Sequence, residues 1–213
     1  MFSVRFFKMG IAQRARSVRA SRHSASIRTF SPAATIKCDG PSIFRSQVAR
    51  DTACLLDVNP DVVSWHCMPV SLDCGGVAHV PDFGILNNDG GKMLFDSPDR
   101  VLPFDADGIA AVAERAGLRY RRLLADEVYE GPRLQNAKDL LSYGSHGLAL
   151  GDRLRVLATL DEHGNLTVAE CLTVFTETKP VAGLAQMILH GFVEVDLDTE
   201  LLGPETIVRR IRP

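Results

Sequence analysis

Two aspartates, Asp82 and Asp96, flank a turn in "HVPDFGILNNDGGKMLFDSPD" (residues 79–99). The segment reads as two short apolar runs joined by "NNDGG", and Asn/Asp-Gly sequences of this kind favour hairpin turns. Carboxylates on neighbouring strands can hold Mg²⁺, which activates a water and stabilises the leaving oxygen in phosphodiester cleavage. The carbonyl of Phe95 or Ser97 offers a third oxygen, and Mg²⁺ keeps several waters beside such ligands. A site of this type uses a lysine as a point charge on the attacking water or the phosphate. Two residues past the second acid, where that lysine is wanted, stands Pro98. Each acid alone also reads as a solvated turn residue, because "PD" and "DSPD" are turn signals.

Other chemistry finds less support. The chain lacks GxSxG, HExxH, GxGxxG and the phosphate-binding GxxxxGK[ST], so a nucleotide cofactor is not expected. The six histidines stand singly. The five cysteines, an odd number without a CxxC pair, fit free thiols in a reducing compartment. His66, Cys67, Cys74 and His79 are close enough in sequence to suggest zinc. His66 and Cys67 are adjacent, however, and on a strand would face opposite ways.

The elements that must position Asp82 and Asp96 are short. "SIFRSQVARDTACLLDV" predicts an amphipathic helix capped by Ser42 or Ser46. "VVSWHCMPV", "VAHVPDFGIL" and "KMLFDS" predict three strands, with "DCGG" as a turn. "DADGIAAVAERAGL" predicts a helix ending at Gly117, and "RYRRLLAD" a strand or a helical extension. The expectation is an α/β fold, a mixed sheet with flanking helices. From about residue 134, "NAKDLLSYGS", "LGDRLRVLATLDEHG", "LTVAECLTVF" and "VAGLAQMILHG" read as four helices. "FVEVDLD" and "TIVRRI" follow as strands, a winged-helix-like pattern. Its candidate recognition helix, 181–190, offers only Gln186 and His190 as polar tools, poor for base edges or phosphates. Arg209, Arg210 and Arg212 are the better DNA-binding candidates.

The expected domains are a basic, poorly ordered tail over 1–38, an α/β domain over 39–133 and a winged-helix-like domain over 134–213. The tail holds eight Lys or Arg and no acid, leaving sixteen basic against twenty-six acidic residues in the rest. It reads as a transit-like segment, a disordered arm on DNA phosphates, or an upstream extension with Met9 as the start. No stretch is long and apolar enough to span a membrane, and a soluble, cytoplasmic protein is expected.

The order of residues resembles the TnsA-type transposon endonuclease family. The resemblance covers about 40–213. It runs through "ARDTACLLDVNPDVVSW", "MP" at 68–69, "HVPDF" at 79–83 and "LFDSP" at 94–98. It continues in "AAVAERAGLRYRRLLADEVYEGPRLQNAKDLL" and "GFVEVDLDTELLGPETIVRRI". The resemblance implies a restriction-endonuclease-like sheet domain, a winged-helix-like domain, DNA and a transposase-type protein as partners, and Mg²⁺ on Asp82 and Asp96. Three positions depart from the family pattern. Its first-helix glutamate falls on Ala49, the glutamine of its Q-P pair on Met68 and its lysine on Pro98. Asp51 lies two helix positions, about 200°, from Ala49, and Lys92 stands at the other end of the strand from Asp96. The resemblance therefore implies a nuclease fold with weak or absent cleavage, acting through DNA or partner binding. The alternatives are an active Mg²⁺-dependent endonuclease cutting transposon ends, and a winged-helix regulator with a scaffold sheet.

Overall fold

A computed structural model describes residues 10–212. They divide into two compact units, one up to Ser31 with Lys37–Val128, the other Pro32–Ile36 with the chain from Tyr129 on. Where it is described, the basic N-terminal segment carries a helix. Ile11–Ala25 forms helix α1, and its Ala25 is buried. The alternative start Met9 lies outside the described residues.

The first unit is a mixed sheet with flanking helices. Helix α2, Gln47–Val58, starts where the Ser46 side chain accepts the Ala49 N–H, one of the donors that a helix start leaves without a partner. Ala49, Ala53 and Leu56 repeat at helical spacing and pack on Trp65, Phe83 and Ile85. Strands β1 (Val62–Cys67), β4 (Phe83–Asn87), β5 (Lys92–Asp96) and β6 (Arg119–Arg122) lie side by side in that order. The first two pairings are antiparallel and β5–β6 is parallel. A parallel pair needs a crossover, supplied here by α3, Ala106–Glu114. Asp105 caps α3 through the Gly108 N–H, and Gly117 closes the turn after it with a φ of +73° that favours glycine. Ile109 and Ala113 of α3 pack on Leu94 and Tyr120. A short helix, α4 (Ala125–Tyr129), follows β6.

The expected strand "VAHVPDFGIL" is two strands in two sheets. Val77–His79 is β3, paired with β2 (Leu72–Cys74), and β4 begins only at Phe83. Pro81 has no N–H for a ladder, and the chain bends there. Asp82 thus sits at the entrance of β4 rather than at a strand centre.

The second unit holds α5 (Arg133–Ser142), α6 (Leu150–His163), β7 (Asn165–Thr167), α7 (Val168–Thr173), α8 (Pro180–Leu189), β8 (Val193–Glu194) and β9 (Ile207–Arg210). The strands form a small antiparallel sheet in the order β7-β9-β8. "LTVAECLTVF" is therefore strand before it is helix. The switch falls at Thr167, whose hydroxyl and the Glu170 carboxylate build a capping box. "FVEVDLD" is a strand only at Val193–Glu194. Val156, Leu160, Leu184, Met187, Val193 and Val208 form the core.

Candidate functional site: a buried aspartate pair

Hairpin register brings the two acids together. Phe83 pairs with Phe95 across β4 and β5, which sets Asp82 and Asp96 side by side just beyond. The Asp82 backbone N–H donates to Asp96 Oδ1 at 2.9 Å. Both side chains are buried.

Neither carboxylate is open. Arg45, on the segment leading into α2, grips Asp82 with two bonds, Nε to Oδ1 at 3.1 Å and Nη2 to Oδ2 at 3.0 Å. The Ser97 N–H donates to Asp82 Oδ2 at 3.1 Å. Arg45 also bridges to Asp99, with Nη2 2.7 Å from Oδ1. Asp96 Oδ2 takes His79 Nε2 at 2.6 Å and the Tyr120 hydroxyl at 2.8 Å. The His79 and Tyr120 rings meet edge to face. Arg100 lies between the acids, its Nη1 3.6 Å from Asp82 Oδ1 and its Nε 3.8 Å from Asp96 Oδ1. Its Nη2 donates to the Val80 carbonyl at 2.9 Å. Arg100 thus occupies the place that a bridging cation would take.

The electrostatics favour the Arg45–Asp99 ion pair. Burial alone would lower the Arg45 pKa, but hydrogen bonds to Asp99 and Asp82 outweigh it and hold it above the ordinary arginine value. Burial pushes the Asp99 carboxyl up, yet Arg45 and Ser46 more than offset this and keep it below the usual range. Burial, and then the Asp96 charge, raise the Tyr120 phenol, which stays a donor.

These residues do not fit a divalent ion as they stand. All four carboxylate oxygens of the pair already accept hydrogen bonds, and a metal would have to displace guanidinium groups. Among the described residues, no cluster of three or more His, Cys, Asp or Glu is placed to hold a metal ion. That also covers the zinc reading of His66, Cys67, Cys74 and His79.

None of the other positions of the resemblance adds a carboxylate or a cation to the pair. Ala49 packs in the apolar cluster of Ala53, Trp65 and Phe83, so an acid there would enter the core. Asp51 is buried and takes a hydrogen bond from Gln47. Pro98 follows β5, and its carbonyl accepts from Arg122. Met68 is buried with a left-handed φ of +49°, unusual for a residue with a side chain. Its N–H donates to the Asp82 carbonyl at 2.9 Å. Lys92 is exposed at the far end of β5, roughly 13 Å along the strand from Asp96.

In the second unit, Arg209 and Arg212 are exposed, while Arg210 is paired with Asp161. Helix α8 is buried from Ala182 through Met187 and again at Leu189. Asn136 of α5 is structural. Its amide donates to the Leu197 and Glu200 carbonyls and accepts the Leu202 N–H.

Arg45, Arg100 and Tyr120 escaped the sequence reading, and His79 entered it only as a candidate zinc ligand. Arg100 had a local signal, a base four residues after Asp96. Arg45 had none, being 37 residues from its partner.

Fold and cluster together define a mixed α/β protein with a buried aspartate pair, Asp82 held by Arg45 and Asp96 by His79 and Tyr120. No known protein-family model matches the chain, and no curated protein matches it. The described residues contain no helix long and apolar enough to cross a membrane.

Proposed function

We propose that the chain is a TnsA-like subunit of a DNA transposition system, built on a restriction-endonuclease-like sheet domain whose metal site has become a structural charge cluster. It acts by binding DNA or a transposase-type partner rather than by cutting. The observation that carries this reading is the double grip of Arg45 on Asp82, with Arg100 between the two acids. In a metal nuclease, the ion neutralises the carboxylates and prepares the attacking water. Here guanidinium groups neutralise them and offer no water for attack. The neutralised pair no longer repels a phosphate backbone, so binding can persist without cleavage.

The element order α6, β7, α7, α8, β8, β9 supports a winged-helix-like second unit. Its role is contact with a protein partner. From Tyr129 on, the chain carries twelve acidic and eight basic residues, and α8 is too buried to enter a DNA groove. This weighs against the regulator reading.

The test is supercoiled plasmid with purified protein and Mg²⁺ or Mn²⁺. No nicking is expected from the wild type, and Asp82→Ala should change nothing. Nicking that disappears in Asp82→Ala would establish the active endonuclease instead.

A further inference from the structure

Helix α1 presents a stripe of positive charge that no acid balances. It has no acidic residue, and among the described residues none of Arg14, Arg16, Arg19 and Arg28 has an ion-pair partner. At 100° per residue, Arg16, Arg19 and His23 fall within about 60° of arc. Val18 and Ala25 lie on roughly the opposite side, and these two pack with Met68, Val80 and Ile43. The charged face is therefore turned to solvent by the packing of the other. Arg22 locks the helix further, its Nη2 donating to the Cys67 carbonyl at 3.1 Å.

That docking places α1 beside the aspartate cluster. Met68, under Ala25, donates its N–H to the Asp82 carbonyl, and Val80 accepts a bond from Arg100. The stripe rises roughly 10 Å from Arg16 to His23, about three nucleotide steps of one DNA strand. Arg14 is also exposed but lies about 160° around the helix from Arg16, outside the stripe. The face carries no Phe, Tyr or Trp on which unpaired bases could stack. Val18 and Ala25 are turned to the protein, and the exposed Ile11, Ala12, Ala15 and Ala20 offer a lipid surface one large apolar side chain among alanines.

We propose that α1 is a duplex-DNA backbone contact, laying Arg16, Arg19 and His23 against phosphates next to the Asp82–Arg45 cluster. The choice of DNA over an RNA duplex rests on the proposed function; the unbalanced charge and its placement do not. Such contacts read no sequence and are salt-sensitive, because each neutralised phosphate releases counterions.

The experiment is fluorescence anisotropy of a short labelled DNA duplex with the full chain over a range of salt concentrations. Arg16→Gln, Arg19→Gln and His23→Gln combined should weaken binding at least about 10-fold and flatten the log–log salt slope by about 2. The exposed Arg115→Gln should leave the slope unchanged. These substitutions remove only exposed side chains, so far-UV circular dichroism should match the wild type. An unchanged slope in the triple variant overturns the proposal. So does a slope that falls only in Arg209→Gln with Arg212→Gln, or tighter binding to an RNA duplex or to anionic vesicles than to DNA. A failed α1 contact with DNA still bound leaves the proposed function standing. Nicking by the wild type with a flattened slope in the triple variant would do the reverse.

Discussion

At the scale of residues, the decisive interaction is Arg45 with Asp82. A buried carboxylate is costly unless paired and hydrogen-bonded. Here Arg45, Ser97 and Arg100 do that work on Asp82, and His79 and Tyr120 on Asp96. Arg45→Ala is expected to cost about 2–3 kcal/mol. That is below the value for a fully buried pair, because the Arg45 side chain is 26% exposed. Urea unfolding of the variant measures it. Asp82→Ala should also destabilise, and the double variant should lose less than the sum of the singles. Neutral or stabilising behaviour of Asp82→Ala would mark the acid as a strained, functional group instead.

Among the elements, the second unit offers two sharp tests. Gly183 of α8 lies against the Phe175 ring, and an added Cβ would come within 2.3 Å of it. Gly183→Ala should therefore destabilise by about 1–3 kcal/mol despite alanine's better helix propensity, read as a lower melting temperature. Asp152, fully buried in α6, accepts the backbone N–H groups of Thr176, Glu177 and Thr178 and a bond from Arg155. Burial pushes its carboxyl up, but the Thr176 N–H, Arg155 and the Thr178 N–H outweigh this and hold it below the usual range. A depressed folded pKa gives stability that is complete above the unfolded value near 4 and lost as pH falls through the folded one. Wild-type stability should accordingly drop on acidification below about pH 4. Asp152→Asn should be less stable at neutral pH and flatter across that window, as denaturant midpoints at several pH values will report.

For the whole molecule, the two units bury separate apolar cores, and charge divides the chain unevenly. The single tryptophan, Trp65, is fully buried in the first core and donates to Asp57 Oδ1 at 2.8 Å. Its emission reports that core, whereas far-UV circular dichroism reports the helices of both. Gly183→Ala should thus move the dichroism transition and leave the tryptophan transition in place. Coincident shifts of both signals would show one cooperative unit.

Periodicity and turn chemistry alone revealed α2, the β4–β5 hairpin, α3, α5, α6, α8 and β9, because local spacing and capping decide such elements. They also brought Asp82 and Asp96 together, since a tight hairpin sets its own register. Local pattern missed the break at Pro81 and the start of β7, where chain direction depends on partners elsewhere. It read the basic segment as a tail, because the contacts that hold α1 lie far along the chain at Met68 and Val80. What became of the aspartate pair was decided only in three dimensions. Carboxylates poised for a metal and carboxylates held by arginine have the same sequence around them. The difference lies in a guanidinium from 37 residues away, and long-range electrostatic pairing leaves no local signature.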